Sequence, residues 1–369
     1  MDADSLQVPR CICRQIGSVE NLPAPPQLPY TLTIGPRLQL SITNQHQSGT
    51  IPRLRSPFSF GGHWTSCFLF AVMSASSEKR KSVLVTGCGP GGIGNSLARE
   101  FHKHGLRVFA TARDANSLDD LAALGIETLN LTVDDEDSVQ LCFAEVERRL
   151  GDNGLDYLVN NAGRNYTVPA TEVNLSDVRA TFEVNFFAVV YICKTFIPLL
   201  IKAKGTIVQI GSVAGVIPYV FGSIYNASKA AIHSYSDTLR VELAPFGVNV
   251  TTVITGGVQS RIARIQRTLA PSSIYAPIED QYTRRVTHSQ DGAMPHTAYA
   301  RSVVAQVLYG SAPWRWIWPW ARGRKSWIWE GNKSWLIWFM VGGWAWTGLA
   351  HNAMIKMFGL NRLKKALGN

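Results

Sequence analysis

Residues 86–94 of this 369-residue chain read TGCGPGGIG and directly follow the apolar run SVLV at 82–85. From the last glycines onward the apolar positions have helical spacing, which continues to His104. The stretch therefore predicts a strand, a tight turn and the start of a helix. Glycines let a backbone turn sharply and approach a pyrophosphate, and a helix amino terminus favours negative charge. The segment predicts a dinucleotide site at the end of a strand.

Apolar strands and helical stretches alternate along the rest of the central region. Further strands are predicted within 106–113, 155–163, 205–212 and 249–257, and longer helices over 137–150, 175–201 and 223–246. Strands separated by helices of this length imply a parallel sheet with helices on both faces. The predicted fold class is α/β, a Rossmann-type doubly wound parallel sheet formed by residues 80–310.

Charge and tryptophan are concentrated at the carboxyl end of the chain. The formal net charge is +10; residues 311–369 carry +8 of it, and residues 73–310 are neutral. Ten of the eleven tryptophans lie between Trp314 and Trp346. A neutral body argues against nucleic-acid binding, whereas a basic, tryptophan-rich end suits a membrane surface.

An uncharged run within this basic end predicts a hydrophobic, membrane-associating helix. Residues 334–355 are 22 consecutive residues without Asp, Glu, Lys or Arg, a length that could span a bilayer. Glycines interrupt the run, and its tryptophans are not confined to its ends. An interfacial helix is favoured; a spanning helix and a packed, soluble helix remain as alternatives.

The first 72 residues differ from the rest. They are rich in Pro, Ser, Gln and Asn and show no sustained period, which predicts a disordered segment or an over-extended amino terminus. A transit peptide is the alternative. The six cysteines of the chain show no paired spacing, so no metal site is predicted and a reducing environment is expected.

The end of the second predicted strand bears on the choice of cofactor. An acidic residue there would bind the ribose 2′-hydroxyl of NAD, but this strand ends in Ala112 and Arg113. A guanidinium suits a 2′-phosphate through charge-assisted hydrogen bonds, which favours NADP(H). A solvated surface arginine is the alternative reading.

Tyr225 and Lys229 lie four residues apart, on one face of a predicted helix. An ammonium beside a phenol stabilises the phenolate and lowers the pKa of the tyrosine, which suits acid–base catalysis. Taken alone, the pair is better explained as an exposed surface contact.

Five motifs, read in order, resemble those of the short-chain dehydrogenase/reductase family. They are the glycine turn of Thr86–Gly94, one residue longer than usual; NNAG at 160–163; Asn185 in EVNFF; Ser212, thirteen residues before Tyr225; and TGGVQS at 255–260, where the family has PGxxxT. The resemblance covers roughly residues 80–310. It implies a Rossmann fold and ketone reduction with NADPH or its oxidised form NADP.

The resemblance also implies roles for single residues. Tyr225 would donate the proton to the carbonyl oxygen, Lys229 would lower its pKa and hold the nicotinamide ribose, and Ser212 would bind the same oxygen. Asn185 would support the water through which the proton is replenished. The cofactor residues it implies are Gly87, Gly92, Ile93, Gly94, Arg113, Asn161, Tyr225, Lys229, Val258 and Ser260. Asn130 stands where many members have an Asp that contacts adenine.

The nine-residue glycine loop, TGGVQS and the tail sequence WEGNKSWLIWF resemble one branch of this family, the fungal reductases of 1-acyldihydroxyacetone phosphate. That resemblance implies an acylated ketone as substrate and lysophosphatidic acid as product. It also implies a location on the cytosolic face of the endoplasmic reticulum membrane and of lipid droplets. A homo-oligomer is left open.

Two other functions remain as alternatives. One is a related ketoreductase acting on a steroid, a retinoid or a secondary metabolite; the other is a non-catalytic NADP-binding membrane protein. The segment between Ser260 and Arg301 should distinguish an enzyme for the acylated phosphate from one for a steroid, retinoid or secondary metabolite, because a phosphate would bind some of its arginines. They are Arg261, Arg264, Arg267, Arg284, Arg285 and Arg301.

Overall fold

The structure is a computed structural model that describes residues 80–263, 267–310 and 326–339, together with Lys356, Met357, Gly359 and Arg362. The predictions made for residues 1–72 lie outside the described residues.

The described strands form one parallel sheet in the order β3-β2-β1-β4-β5-β6-β7. They are β1 Ser82–Val85, β2 Arg107–Ala112, β3 Glu127–Asn130, β4 Tyr157–Asn160, β5 Thr206–Ile210, β6 Asn249–Thr255 and β7 Trp327–Glu330. The chain winds outward in one direction from β1 to β3 and then returns to β4 on the other side of β1. In such sheets ligands bind at the carboxyl ends of the strands where the winding reverses.

Helices cover both faces of the sheet, as the alternating sequence predicts. They are α1 Ile93–Lys103, α2 Asp119–Ala122, α3 Glu136–Leu150, α4 Leu175–Phe182, α5 Ala188–Ala203, α6 Ser223–Leu243, α7 Glu279–Thr287, α8 His296–Tyr309 and α9 Ser334–Phe339. In β1, Val83 and Val85 belong to the core under α1 and α8, whereas Leu84 belongs to the core under α3, α5 and α6. This alternation confirms the doubly wound α/β fold.

The predicted helix over 175–201 is α4 and α5, joined by a π-helical turn at Glu183–Phe187. Among the described residues, this helical stretch, Leu175–Ala203, is long and apolar enough to cross a bilayer by length and composition. Its residues Ile192, Phe196 and Leu200 are buried against the sheet. Its apolar character is therefore explained by its place in the core.

The boundary predicted at residue 310 is corrected by β7. Trp327–Glu330, within the segment assigned to a membrane tail, pairs in parallel register with Thr252–Thr255 of β6, and Ile328 is 1% exposed. Two amides after β6 also donate to this segment: Gly256 N to Glu330 O at 2.8 Å, and Gly257 N to Asn332 O at 3.1 Å. This pairing makes the strand part of the sheet. It also covers the edge of β6, which would otherwise be unpaired.

The uncharged run of residues 334–355 is described only in its first six residues, which form α9. Ser334 and Ile337 are buried there, while Trp335, Trp338 and Phe339 are exposed to 69%, 57% and 50%. Large exposed aromatic side chains on one short helix are unusual for a free surface. Residues 340–355, on which the predicted membrane helix mostly depends, lie outside the described residues.

Candidate active site

The glycine turn connects β1 to α1 at the carboxyl edge of the sheet. Gly87 has φ +72°, a conformation that favours glycine, and its amide neighbour Cys88 donates to Thr111 O of β2 at 2.8 Å. A Cβ on Gly94 would contact the Gly87 carbonyl oxygen and lie 2.5 Å from Nδ2 of Asn161. The first turn of α1 is therefore held close to the loop. No side chain of the described residues caps its amides, so these can receive a pyrophosphate.

The NNAG segment is tied to this turn by its second asparagine and by Thr86. Asn161 Nδ2 donates to Thr86 O at 2.8 Å and to Gly87 O at 3.1 Å. In return, Thr86 Oγ1 accepts from the amides of Asn161 and Ala162, both at 3.0 Å. The Asn161 side chain thus fixes the conformation of the predicted cofactor loop by binding its backbone carbonyls. The contribution of Thr86 was missed, although its place next to Gly87 could have indicated it.

Arg113 follows the last residue of β2 and is exposed. Within the described part of the chain its guanidinium has no hydrogen-bond or ion-pair partner, so its donors are available to a phosphate. Asn130 ends the neighbouring strand β3, and its Oδ1 accepts from Ala115 N at 2.7 Å. This asparagine closes the loop after Arg113.

Val258 and Ser260, the two predicted cofactor residues after β6, are bridged by one side chain. Gln290 Oε1 accepts from Ser260 N at 3.0 Å, and Gln290 Nε2 donates to Val258 O at 3.4 Å. The primary amide of the Gln290 side chain thus bonds to the N–H of Ser260 and the carbonyl oxygen of Val258. Nicotinamide carries the same functional group, so Gln290 and the cofactor's carboxamide would compete for these backbone atoms. The sequence contained no motif that indicates Gln290.

Asn185 lies in the π-helical turn between α4 and α5 and is 1% exposed. Its Oδ1 accepts from Arg164 N at 2.8 Å, and its Nδ2 donates to Arg164 O and to Ser228 Oγ, both at 3.0 Å. The side chain therefore joins the segment after NNAG to helix α6. The extra residue of a π-turn is a common way to aim a side chain at a functional site.

Tyr225 and Ser212 meet at the carboxyl end of β5. Burial raises the pKa of Tyr225, and this effect outweighs the lowering of the pKa by the nearby Ser212 hydroxyl and by the positive charge of Arg285. The net direction is opposite to the one that the sequence predicts. A raised pKa keeps the phenol protonated at neutral pH, as a proton donor must be.

Lys229 lies one turn after Tyr225 on α6, with its Nζ 5.9 Å from the centre of the Tyr225 ring. The Nζ donates to Ile210 O at 2.9 Å, and burial lowers the pKa of the ammonium to about 8. The structure therefore places the four predicted catalytic residues, Asn185, Ser212, Tyr225 and Lys229, around the carboxyl ends of β4 and β5.

His233, one further turn along α6, was not predicted. It is 5% exposed, and its Nε2 accepts from the amide of Ser212 at 3.3 Å. Gly211 and Gly215, before and after Ser212, pack on the His233 ring. A Cβ on Gly215 would lie 2.7 Å from Cε1 of His233, and a Cβ on Gly211 would contact its Nε2. Its ring also lies 5.4 Å from that of Trp327 in β7. His233 therefore holds the backbone of the serine in place.

The arginines between Ser260 and Arg301 occupy different places. Arg285 is 3% exposed, with its Cζ 3.4 Å from the centre of the Tyr219 ring, and Arg284 donates to Met357 O. Arg261 lies beside Gly91 of the glycine turn, and Arg301 is exposed on α8. Arg267 Nη1 lies 3.1 Å from Oδ2 of Asp177. Arg264 lies outside the described residues.

Arg164 is a further arginine at this edge, and it directly follows the NNAG motif. Its Nη2 lies 3.1 Å from Oδ1 of Asp177, the carboxylate that also pairs with Arg267. Arg164 was not predicted, although its position directly after NNAG indicates that it lies near the active site.

Relatives were found by sequence and by structure. One, from Schizosaccharomyces pombe, is named NADPH-dependent 1-acyldihydroxyacetone phosphate reductase and is 47% identical over 206 residues, 54% of this chain and 69% of the relative. Another, short-chain dehydrogenase fogD from Aspergillus ruber, is 39% identical over 288 residues, 78% of this chain and 96% of the relative.

The structural relatives support the fold. A solved short-chain dehydrogenase from Streptomyces avermitilis has a TM-score of 0.60 at 24% identity, covering 78% of this chain and 98% of its own. A short-chain dehydrogenase from Burkholderia cenocepacia, solved with NADP, has a TM-score of 0.57 at 20% identity, and the match covers 75% of this chain and 98% of that one. The family model described as short chain dehydrogenase matches residues 81–269. The predicted family and enzyme class are confirmed: the chain belongs to the short-chain dehydrogenase family of oxidoreductases.

Proposed function

We propose that this enzyme uses NADPH to reduce the ketone of 1-acyldihydroxyacetone phosphate to lysophosphatidic acid. The observation that carries the proposal is the 47% identity to the Schizosaccharomyces pombe reductase of that name. The NADP in the Burkholderia cenocepacia structure agrees with the same cofactor in a shared fold. Arg113 at the end of β2 supports NADPH over NADH because it places a cation where the 2′-phosphate would lie.

The residues at the carboxyl edge of the sheet fit this cofactor. A Cβ on Gly94 would clash with the Gly87 carbonyl oxygen and with Nδ2 of Asn161, so glycine at this position keeps the first turn of α1, with the amides that no described side chain caps, close to the loop. The turn Gly87–Gly94 would hold the pyrophosphate, Arg113 the 2′-phosphate, and Lys229 the nicotinamide ribose. When bound, NADPH supplies the hydride for reduction.

The chain itself supplies the proton and the oxyanion partner. Tyr225, kept protonated by the raised pKa of its buried phenol, donates its proton to the ketone oxygen as that oxygen gains charge. Ser212 hydrogen-bonds the same oxygen and lowers the energy of the developing alkoxide. Lys229, charged below about pH 8, stabilises the phenolate that remains until Tyr225 is reprotonated.

The proposal is tested with purified protein that begins at Met73. NADPH oxidation is followed at increasing concentrations of 1-acyldihydroxyacetone phosphate and of a panel of neutral ketones. We expect the highest kcat/KM for the acylated phosphate, with formation of lysophosphatidic acid confirmed by mass spectrometry. A protein that reduces neutral ketones far better would overturn the substrate assignment.

A ketoreductase for a neutral substrate is the second candidate. The observation that favours it is that the more complete match, to 96% of fogD against 69% of the reductase from Schizosaccharomyces pombe, is to a relative whose name specifies no acylated phosphate. The two candidates share the catalytic residues, so the substrate panel separates them.

We further propose that the carboxyl-terminal segment binds the cytosolic surface of the endoplasmic reticulum or of lipid droplets. Support comes from the +8 charge of residues 311–369 and from the exposed aromatic side chains of α9. Tryptophan favours the headgroup level, and basic residues gain from anionic lipid. Ending the chain before Ser334 keeps β7, so the shortened enzyme should bind NADPH but no longer float with anionic liposomes. Unchanged flotation would contradict the proposal.

A further inference from the structure

We propose that Arg164 and Arg267, joined through Asp177, form the subsite that binds the phosphate of the substrate. This inference rests on the proposed function. The two guanidinium groups approach opposite oxygens of one carboxylate, each at 3.1 Å. They come from separate parts of the chain, one from the segment after NNAG and the other from the segment between β6 and α7.

The pair lies beside the catalytic groups. The backbone N and O of Arg164 both bond to the side chain of Asn185, at 2.8 and 3.0 Å. At the preceding residue, Gly163, a Cβ would lie 3.7 Å from Nζ of Lys229. The Arg164 side chain therefore starts beside Lys229 of the candidate active site. A phosphate one carbon away from the reacting ketone would have to be bound near such a position.

Arg267 is held in place by an aromatic ring. Its Cζ lies 4.6 Å from the centre of the Tyr166 ring, and Tyr166 is 2% exposed. Stacking on a buried ring orients the guanidinium and leaves its edge for hydrogen bonds. The neighbouring Thr167 carbonyl accepts from Tyr282 of α7 at 3.0 Å, which anchors α7 to the same segment.

The charge and the donors of the cluster suit a phosphate. Two guanidinium groups against one carboxylate leave a net charge of +1. Each guanidinium has five N–H donors, and one from each is directed at Asp177. The side chains of Arg164 and Arg267 are 28% and 27% exposed, so a ligand can reach their remaining donors. Planar, bidentate donors of this kind are those that bind phosphate oxygens most firmly.

The other described arginines of the region suit this role less well. Arg284 is engaged with Met357, and Arg285 is nearly inaccessible against Tyr219. Arg261 lies beside Gly91, where it would meet the pyrophosphate of the cofactor. Arg301 is exposed on α8 and provides a matched control within the same segment.

The experiment compares two substrates that differ only in the phosphate: 1-acyldihydroxyacetone phosphate and 1-acyldihydroxyacetone. Arg164→Gln and Arg267→Gln should each lower kcat/KM for the phosphorylated substrate by about 10- to 100-fold, since a charged hydrogen bond is lost. Both variants should leave kcat/KM for the unphosphorylated ketone within about twofold. Arg301→Gln should change neither. An unchanged NADPH Kd shows that each variant is folded.

Asp177→Asn distinguishes phosphate binding from a purely structural ion pair. Removing the carboxylate removes a negative charge beside the phosphate, so KM for the phosphorylated substrate should fall while KM for the other ketone stays constant. Equal losses with both substrates in any of the three variants would overturn the subsite. A wild-type enzyme that reduces both substrates equally would overturn the subsite but leave the proposed reaction intact. One that reduces neither would overturn the proposed function, and the subsite with it.

Discussion

Replacing His233 by glutamine should remove a large part of the acid sensitivity of the fold. Burial lowers the pKa of His233 from its usual 6.5 to about 4, with the charge of Lys229 acting in the same direction. Between these values the unfolded chain binds a proton that the folded chain excludes, so stability falls as the pH falls. From about pH 7 to about pH 4.5 this costs about 2.4 kcal/mol of unfolding free energy. Glutamine keeps an acceptor for the Ser212 amide and does not titrate.

The assay is urea unfolding at both pH values, followed by circular dichroism. The loss of unfolding free energy between the two should be smaller in His233→Gln than in the wild type by about 2.4 kcal/mol. Ser234→Ala, next to it on the exposed side of α6, is the control and should behave as the wild type. Equal losses in the variant and the wild type would refute the claim that a neutral, buried imidazole supports the Ser212 loop.

Three further substitutions test the candidate active site. Tyr225→Phe should abolish reduction and leave the NADPH Kd, from fluorescence titration, nearly unchanged; residual activity above a few per cent would show that another group is the acid. Arg113→Ala should raise the NADPH Kd by about 10- to 150-fold with little effect on NADH; equal losses would indicate a structural role. Gln290→Ala should lower the NADPH Kd by about 2- to 10-fold, because its amide no longer competes for Val258 and Ser260. A raised Kd would mean that Gln290 shapes this segment for the cofactor.

Much of the fold could be predicted from the sequence because its central strands are continuous apolar runs. β1 and β4, which are buried at every residue and contain the apolar runs VLV and YLV, carry that signal most clearly. β3 was not predicted: one of its four residues, Leu129, is buried, so it lacks both an apolar run and a clean alternation. The last strand of the sheet, near Trp327–Trp329, was left uncertain because KSWIW at 325–329 nearly repeats as KSWLIW at 333–338, which suggests an insertion. Its pairing with β6 places this strand in the sheet.

The candidate site likewise contains residues that could be predicted from the sequence and residues that could not. Tyr225 and Lys229 could be found because helical spacing places them on one face and because four other motifs accompany them in order along the chain. Gln290 could not, since it reaches Ser260 from thirty residues away and belongs to no motif. The pKa of Tyr225 could not be predicted either, because it depends on the depth of burial, and spacing carries no information about depth.

The late position of β7 in the sequence, at Trp327–Glu330, affects how the protein folds during its synthesis. A ribosome releases the amino-terminal strands first, so β6 waits with an open edge until Trp327–Glu330 emerges. Until then Gly256 and Gly257 lack the carbonyl partners that fix the segment leading to Ser260. A chain that stops before residue 327 would therefore keep Tyr225 and Lys229 but have a loose cofactor segment and an edge prone to pairing with other chains. Among the described strands β7 is the last to be made and completes the site, so termination before it is expected to produce aggregating, inactive protein rather than a soluble enzyme.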